Sequence, residues 1–209
     1  IGLERNFRRL ASTTLVAVAL FVALVGQPDA SERWMRVQAD SQPMLDDREV
    51  QIHPDELNAL MNNDGIRLVM LDVRNEAEYN LFHIRDAFRI DPEASPDHLV
   101  GDLPNLTDNT VIVVMSNAEQ RSAEAWKVLI GHSLLNVYLL DGGINHWLEV
   151  FGHDEHARCS LEAPPTGLRH VFDAALGSRT SASDPKPRAV EFEAKVKVER
   201  RTTLGGGCG

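Results

Sequence analysis

The six residues 116–121 are the part of this sequence best suited to chemistry. They follow a β-branched apolar run, Thr110–Met115, and precede a helical pattern, so they form a loop between a strand and a helix. The hydroxyl of Ser116 would act as a nucleophile only if a base activated it. No histidine adjoins Ser116 in the sequence, although His83 or His132 could approach it in the folded chain. Because no nucleophile-elbow motif surrounds Ser116, serine hydrolase chemistry is not indicated.

Three short apolar runs predict the strands of a parallel sheet that is buried on both faces. They are residues 68–71, 111–115 and 137–140. Helical patterns lie between them, at residues 54–63 and 122–130. Alternating strands and helices predict an α/β domain with a central parallel sheet and helices on both faces. The loop at Ser116 would then lie at the carboxyl end of a central strand, where such sheets place ligand sites.

Three segments, in the same order along the chain, resemble the rhodanese family. The first is LDVRNEAEYNLFHIRDAFRI, which matches at Asp72, Val73, Arg74, Glu78, Tyr79, His83, Ile84 and Ala87. The second is the loop 116–121, and the third matches at Val137, Tyr138, Gly142, Gly143, Ile144 and Trp147. Phe82 replaces the family's usual glycine, and Arg85-Asp86 replaces its usual Pro-Gly pair. The resemblance covers about residues 50–152, which we take as the domain.

The resemblance implies a sulfurtransferase fold that lacks its reactive atom. In the family a cysteine lies five residues before the loop arginine and carries sulfur as a persulfide, whereas here that position is Ser116. A hydroxyl cannot carry a persulfide, so the resemblance implies no catalytic residue. In active relatives the loop amides surround the sulfur anion, and such a nest also binds oxyanions. The implied binding residues are Ser116, Asn117, Ala118, Glu119, Gln120 and Arg121. Glu119 would oppose an anion unless Arg121 neutralises it.

Residues 1–30 contain an uncharged apolar segment, residues 10–26, which follows Arg5, Arg8 and Arg9. As a helix its 17 residues would span roughly 25 Å, near the lower limit for crossing a bilayer. The segment is either a cleaved secretory signal or an uncleaved anchor, and the poor cleavage site before Ala30 favours the anchor. We therefore predict a single-pass membrane protein with a linker at residues 31–49. Its soluble domain is expected outside the cytoplasm, in the periplasm.

The composition argues against several partners and cofactors. A net charge of −10 over 209 residues disfavours nucleic acid, whose binding needs a basic surface. The two cysteines, Cys159 and Cys208, are too few for a disulfide framework. His153, His156 and Cys159 would share one helical face, but structural zinc needs four ligands. We therefore predict no metal and no cofactor, and interpret these residues as a polar connector.

Residues 153–209 form a tail of mixed character. A stripe of apolar residues at helical spacing predicts a short amphipathic helix over residues 167–176. Over residues 189–199 apolar and charged residues alternate strictly, which predicts a half-buried strand. Its apolar face needs a cover, either the chain's own domain or another protein. The glycine-rich end carries Cys208, a thiol that could carry sulfur, bind metal, be lipidated or be unreactive.

These features favour a non-catalytic, membrane-anchored protein that acts as a structural or interaction subunit of a membrane protein complex, respiratory or photosynthetic. Its partners would be the other subunits and the bilayer at residues 10–26. In one alternative, Cys208 supplies the missing thiol and the protein is a sulfur carrier or sulfurtransferase. In the other, the loop 116–121 is a small-anion sensor. Whether Cys208 can reach Arg121 distinguishes the first alternative from the favoured function.

Overall fold

The computed structural model describes residues 14–17, 28–91, 96–101, 103, 106–152, 158–159, 165–171, 183–186 and 188–198. Most of the predicted membrane segment, residues 10–26, lies outside these ranges, and its residues 14–17 are helical and exposed. Within the described ranges, no helix has both the length and the apolar character needed to cross a bilayer.

Five parallel strands form the central sheet. They are β1 (Gln51–Ile52), β2 (Arg67–Asp72), β3 (Phe88–Arg89), β4 (Thr110–Met115) and β5 (Val137–Leu140). Their order across the sheet is β1-β5-β4-β2-β3. A separate antiparallel pair consists of β6 (Arg158–Cys159) and β7 (His170–Val171). The helices are α1 (Ala30–Asp46), α2 (Pro54–Met61), α3 (Glu76–Leu81), α4 (Pro96–Gly101), α5 (Glu119–Gly131) and α6 (Gly143–Phe151).

The strand β4 lies at the centre of the sheet, and all of its residues are buried. Because successive side chains of a strand point to opposite faces, this burial requires cover on both faces. The helix α5 packs against β4 and β5 and is contacted by α1 and α4, whereas α6 contacts α2 and β5. Trp126 of α5 and Trp147 of α6 are fully buried. The predicted α/β class with a central parallel sheet is therefore confirmed.

The region predicted as a linker, residues 31–49, is instead mostly the helix α1. Asp29 caps its first turn by accepting a hydrogen bond from the Glu32 N–H at 2.8 Å, and this bond lowers the pKa of Asp29. Trp34 packs edge-on against Trp126, with ring centroids 6.1 Å apart. The sequence analysis did not predict this helix, because the segment is rich in charge and contains Pro43, and proline usually interrupts a helix.

The helix predicted over residues 167–176 is wrong for its described part. Residues 165–169 form a turn and an irregular segment, and His170–Val171 is the strand β7. The backbone here bonds to the domain rather than to itself. Asn145 donates to the Gly167 carbonyl at 2.9 Å and accepts from the Arg169 N–H at 2.8 Å. Residues 172–176 lie outside the described residues.

The strand predicted over residues 189–199 is wrong for its described part, because residues 189–198 form no regular secondary structure and pair with no strand among the described residues. They lie against the chain's own domain, where Val196 packs on the hydrophobic core. Of the two covers that the sequence left open, the structure shows the chain's own domain. Before this segment in the sequence, Ser183 forms an isolated parallel bridge with Ile84.

Candidate functional site

Ser116 follows directly after β4, at the carboxyl edge of the sheet, and only 2% of its surface is exposed. Its hydroxyl donates a hydrogen bond to the carbonyl oxygen of Ala118 in the same loop. Its own carbonyl oxygen accepts the N–H of Ile144, in the first turn of α6, at 2.8 Å. The hydroxyl is thus engaged within the loop, and the Ser116 backbone ties the loop to α6.

The close approach of this loop to α6 depends on Gly143. A Cβ atom at this position would lie 2.4 Å from the Ser116 carbonyl oxygen and 2.8 Å from that of Asn117. Gly143 also has a φ of +65°, in the left-handed region that favours glycine. The position therefore excludes every other residue on both grounds, which explains the second glycine of the Gly-Gly-Ile motif.

A buried ion pair next to the loop positions Asn117. Asp72 ends β2, and its Oδ2 lies 2.6 Å from the Nη2 of Arg74, with both side chains at most 1% exposed. Arg74 also donates to the Phe82 carbonyl at 2.6 Å and to the Asn117 Oδ1 at 3.4 Å. The Asn117 Nδ2 in turn donates to Glu78 at 2.5 Å. The Asp-Val-Arg and Glu-Tyr motifs of the sequence thus supply the groups that orient this side chain.

Glu119, the first residue of α5, forms an ion pair with Arg48, which follows α1. The Nη2 of Arg48 lies 2.8 Å from the Oε1 of Glu119, and the same oxygen accepts the Gly142 N–H at 2.8 Å. Arg48 also pairs with Asp141, and its bond to Glu119 raises the pKa of the guanidinium. The partner of Glu119 is therefore Arg48 rather than the expected Arg121, which is exposed to solvent.

Residues 165–169, which come after the α/β domain in the sequence, cover part of this loop. The carbonyl of Thr166 accepts from the Asn117 Nδ2 at 3.4 Å. Asn145, which bonds to Gly167 and Arg169, is 2% exposed and donates its own N–H to the Asn117 carbonyl at 3.2 Å. The two asparagines are thus shielded by a segment that the sequence predicted as a separate helix.

The two histidines considered as bases for Ser116 have other contacts. The His83 ring stacks on Tyr79, with centroids 4.3 Å apart, and its Nδ1 lies 3.0 Å from the Tyr79 carbonyl oxygen. His132 follows α5 and bonds to Arg33 of α1. The 13 residues of α5 separate His132 from the loop by about 20 Å. His132 therefore cannot activate Ser116.

Three of the thiol and metal candidates lie outside the described residues, namely Cys208, His153 and His156. Cys159 is in β6. In the described part of the chain, no group of His, Cys, Asp and Glu side chains could hold a metal ion. The approach of Cys208 to Arg121, which the sulfur-carrier alternative requires, stays a prediction.

The sequence analysis missed Arg48 and Asn145, which shape this site. Arg48 lies 71 residues before its partner Glu119, and no local pattern connects them. Asn145 could have been identified from the sequence. It follows Gly142-Gly143-Ile144 at the start of a helix, where a side-chain amide can bond to neighbouring loops. Together these contacts make a well-braced loop whose exposed residues are Gln120 and Arg121.

Comparison with known proteins supports the family inferred from the motifs. The family model described as "Rhodanese-like domain" matches residues 53–150. A rhodanese-like domain from Anabaena is 24% identical; the match covers 48% of this chain and 74% of that one, with a TM-score of 0.42. A rhodanese-related protein from Thermoplasma volcanium is also 24% identical, with coverages of 48% and 91% and a TM-score of 0.39.

A rhodanese-like domain protein from Staphylococcus aureus is 23% identical, with coverages of 46% and 89% and a TM-score of 0.38. No curated protein matches the sequence significantly. The family model spans the sheet from the residue after β1 to α6, and so includes the loop at Ser116. Residues 53–150 of this chain therefore form a rhodanese-like domain.

Proposed function

We propose that this rhodanese-like domain does not transfer sulfur and acts as an interaction subunit of a membrane protein complex. The observation that carries the proposal is the state of Ser116, which stands where the family resemblance calls for a cysteine. Its side chain is buried, and its hydroxyl is bonded to the Ala118 carbonyl. A hydroxyl is a much weaker acid than a thiol and needs a positioned base to react.

The surroundings of Ser116 support a structural role for the loop. Its carbonyl groups cap the first turn of α6, through bonds to the N–H groups of Ile144 and Asn145 at 2.8 and 3.2 Å. The segment at Thr166 lies against Asn117 on the other side. This segment therefore covers the Asn117 side of the loop, whereas Gln120 and Arg121 are exposed.

The proposed interaction role rests on surfaces and on the apolar segment at residues 10–26. Large apolar side chains are exposed on α1 and β3, where Met35 is 64% and Phe88 is 50% exposed. These two side chains are accessible for contact with other subunits. The uncharged segment would hold the domain at a bilayer, with the other subunits of the complex as its partners.

Purification from detergent-solubilised membrane tests this proposal. The full chain is expected to co-purify with other membrane polypeptides at a fixed stoichiometry. A Ser116→Ala variant should retain them all, since the proposed function does not use the hydroxyl. Elution of the wild-type chain alone as a monomer in mild detergent would contradict the interaction role, and loss of partners on Ser116→Ala would show that the loop itself takes part.

A second candidate, small-anion binding at residues 116–121, is favoured by one observation. Arg48 pairs with Glu119 and with Asp141, so the carboxylate that was expected to repel an anion is partly compensated by a shared cation. Arg121 remains exposed at the start of α5, where a cation and the helix dipole favour negative charge. Calorimetric titration with thiosulfate, sulfate and phosphate tests it. Binding that is lost on Arg121→Gln, but kept on Arg67→Gln as a matched exposed control, would support this candidate.

A further inference from the structure

The helix α1 packs antiparallel to α5. Near the start of α1, Arg33 bonds to His132, the residue after the end of α5. A Cβ atom at Gly131, the last residue of α5, would meet the Arg33 Cβ at 3.3 Å. Two residues after α1 ends, Arg48 pairs with Glu119, the first residue of α5. The start of α1 therefore lies beside the end of α5.

This pairing places the start of α1 at one edge of the central sheet. The helix α5 begins after the end of β4 and ends before the start of β5, and these two strands are parallel. It therefore runs from the carboxyl edge, where the loop at Ser116 lies, to the edge at which the strands begin. We call this second edge the amino edge. The 13 residues of α5 separate the two edges by about 20 Å.

The loops that precede the strands are bonded together along the amino edge. The Asn109 side chain, before β4, donates to the Gly65 carbonyl, before β2, at 3.1 Å. The Asn136 carbonyl, before β5, accepts the Ile112 N–H of β4 at 2.9 Å. These bonds fix three loops relative to one another, so the amino edge is one continuous face of the domain.

Apolar side chains are exposed on this face. Leu106 and Leu135 are each 39% exposed, and both line one hollow of about 130 Å³ together with Ile112 and Leu134. Met35, in the second turn of α1, is 64% exposed. The two leucines come from different loops and lie close together, so they form an apolar patch at the amino edge.

The charges around the patch are of both signs. The exposed charged residues of α1's first two turns and of the loops before β2 and β4 are Asp29, Glu32, Arg36, Asp64, Arg67 and Asp108. Such a mixture does not favour an anionic partner, because the acidic groups would repel it. A neutral partner that accepts apolar side chains fits this face better.

The chain itself connects this edge to the apolar segment at residues 10–26. Ala30, the first residue of α1, comes four residues after the end of that segment. Four residues of chain span at most about 14 Å, whatever their conformation. The amino edge is thus the part of the domain that the chain holds nearest to residue 26, and the carboxyl edge is farther away.

We infer that the amino edge rests on the bilayer that holds residues 10–26, with Leu106 and Leu135 in contact with lipid. This inference rests on the membrane attachment proposed above. A small apolar patch is sufficient, because the short connection keeps the edge at a high effective concentration near the bilayer surface. Removal of the two leucine side chains from water then favours contact. The loop at Ser116 faces the aqueous phase, about 20 Å farther from the lipid.

Fluorescence quenching in nanodiscs of neutral phosphatidylcholine tests the placement on the full chain. Cys159→Ser with Cys208→Ser removes the native thiols, and Leu106→Cys or Leu135→Cys then receives an environment-sensitive label. Leu81→Cys is the matched control, because Leu81 is 38% exposed and adjoins Phe82, whose carbonyl bonds to Arg74 at the carboxyl edge. Val16→Cys reports on the apolar segment itself.

The labels on Leu106→Cys and Leu135→Cys should be quenched by doxyl-labelled lipid at least about threefold more strongly than the label on Leu81→Cys, which lies about 20 Å farther from the bilayer. Their emission should also shift to shorter wavelength. Circular dichroism checks the fold of each variant. Asp108→Cys, at an exposed position on the same edge, replaces a leucine variant that unfolds.

Three results would overturn the inference. Quenching on Val16→Cys, but equal and weak quenching on the amino-edge and Leu81→Cys labels, would leave the membrane attachment intact and remove the edge from the bilayer. Amino-edge labels that are shielded only in the complex purified from membrane would assign the edge to a protein subunit. A label on Val16→Cys that lipid does not quench would contradict the membrane attachment, and the placement of the edge with it.

Discussion

The guanidinium of Arg48 and the carboxylate of Glu119 form an ion pair at 2.8 Å that connects the chain two residues after α1 to the first residue of α5. The same carboxylate oxygen accepts the Gly142 N–H before α6. Three parts of the chain thus meet at one side chain beside the Ser116 loop. Glu119 therefore connects these three parts of the chain, and its carboxylate shares the Arg48 cation with Asp141.

The surroundings of Ser116 predict the outcome of placing a thiol at position 116. Ser116→Cys alone should yield little sulfurtransferase activity, because the side chain at this position is 2% exposed and residues near Thr166 lie against the loop. Adding Glu119→Gly should not help, since the change removes the carboxylate that pairs with Arg48 and accepts the Gly142 N–H. The measurement is thiocyanate formation from thiosulfate and cyanide by both variants. Robust turnover by Ser116→Cys alone would show that only the nucleophile is missing.

Replacement of Gly143 should destabilise the domain. Gly143→Ala forces a left-handed conformation that costs about 1–2 kcal/mol, and its Cβ would meet the Ser116 carbonyl oxygen at 2.4 Å. The loss in the free energy of unfolding, measured with urea, should exceed about 2 kcal/mol. Gly101→Ala is the matched control, because a Cβ there meets nothing within 4 Å. Equal stability of the two variants would show that the loop and α6 can separate without loss.

The Asp72–Arg74 pair should contribute strongly to stability, because both side chains are buried. Asp72→Asn leaves the Arg74 charge without its carboxylate, and removal of one partner from a buried pair costs about 3–5 kcal/mol. Urea unfolding of this variant is compared with that of Asp64→Asn, an exposed control expected to change stability by less than about 0.5 kcal/mol. A loss below about 1 kcal/mol for Asp72→Asn would contradict the proposed network.

Glu56, which accepts the N–H groups of Lys195 and Val196, should impose a pH dependence on stability. Burial raises the pKa of this carboxyl above its ordinary 4.5, an effect partly offset by the N–H groups of Val196 and Lys195. The folded chain therefore holds this proton more tightly than the unfolded chain, so the contribution is complete below pH 4.5 and is lost as the pH rises through the raised pKa. Relative to Glu56→Gln, the wild-type chain should lose stability as the pH rises from 4.5 through the raised pKa of Glu56.

The measurement is the difference in unfolding free energy between wild type and Glu56→Gln across that range. Asp55 does not confuse it, because its hydrogen bond to Arg188 lowers its pKa below 3.8, outside the range. If the difference in unfolding free energy does not change with pH, or grows in favour of the wild type, Glu56 is not buried beneath residues 195–196.

The fold could be predicted because its determinants are local. Thr110–Met115 and Val137–Leu140 are continuous apolar runs, which suit strands covered on both faces, and they are strands. The helix α1 could not be predicted from residues 31–49, since its stability comes from contact with α5, such as Trp34 on Trp126. The segment at 167–171 failed for the same reason: its spacing suits a helix, but Asn145 binds its backbone in another conformation.

The site was predictable only in position. The end of a central strand is a general place for ligand loops, and Ser116 lies there. Its bracing was not predictable, because Arg48 and Glu119 are distant in sequence and meet only through the packing of α1. The alternating tail suggested a half-buried strand, but its described part forms no strand, because Glu56 and Tyr138 of the domain bind its backbone N–H groups instead.

The most direct test of the proposed non-catalytic function is thiosulfate:cyanide sulfurtransferase activity of the purified full chain, assayed beside its Cys208→Ser variant. We predict thiocyanate formation no faster than the protein-free reaction for both, because the hydroxyl of Ser116 cannot carry a persulfide. Activity that disappears in the Cys208→Ser variant would assign the reaction to that thiol. Activity that survives in it would contradict the account outright, since the loop at Ser116 would then be catalytic.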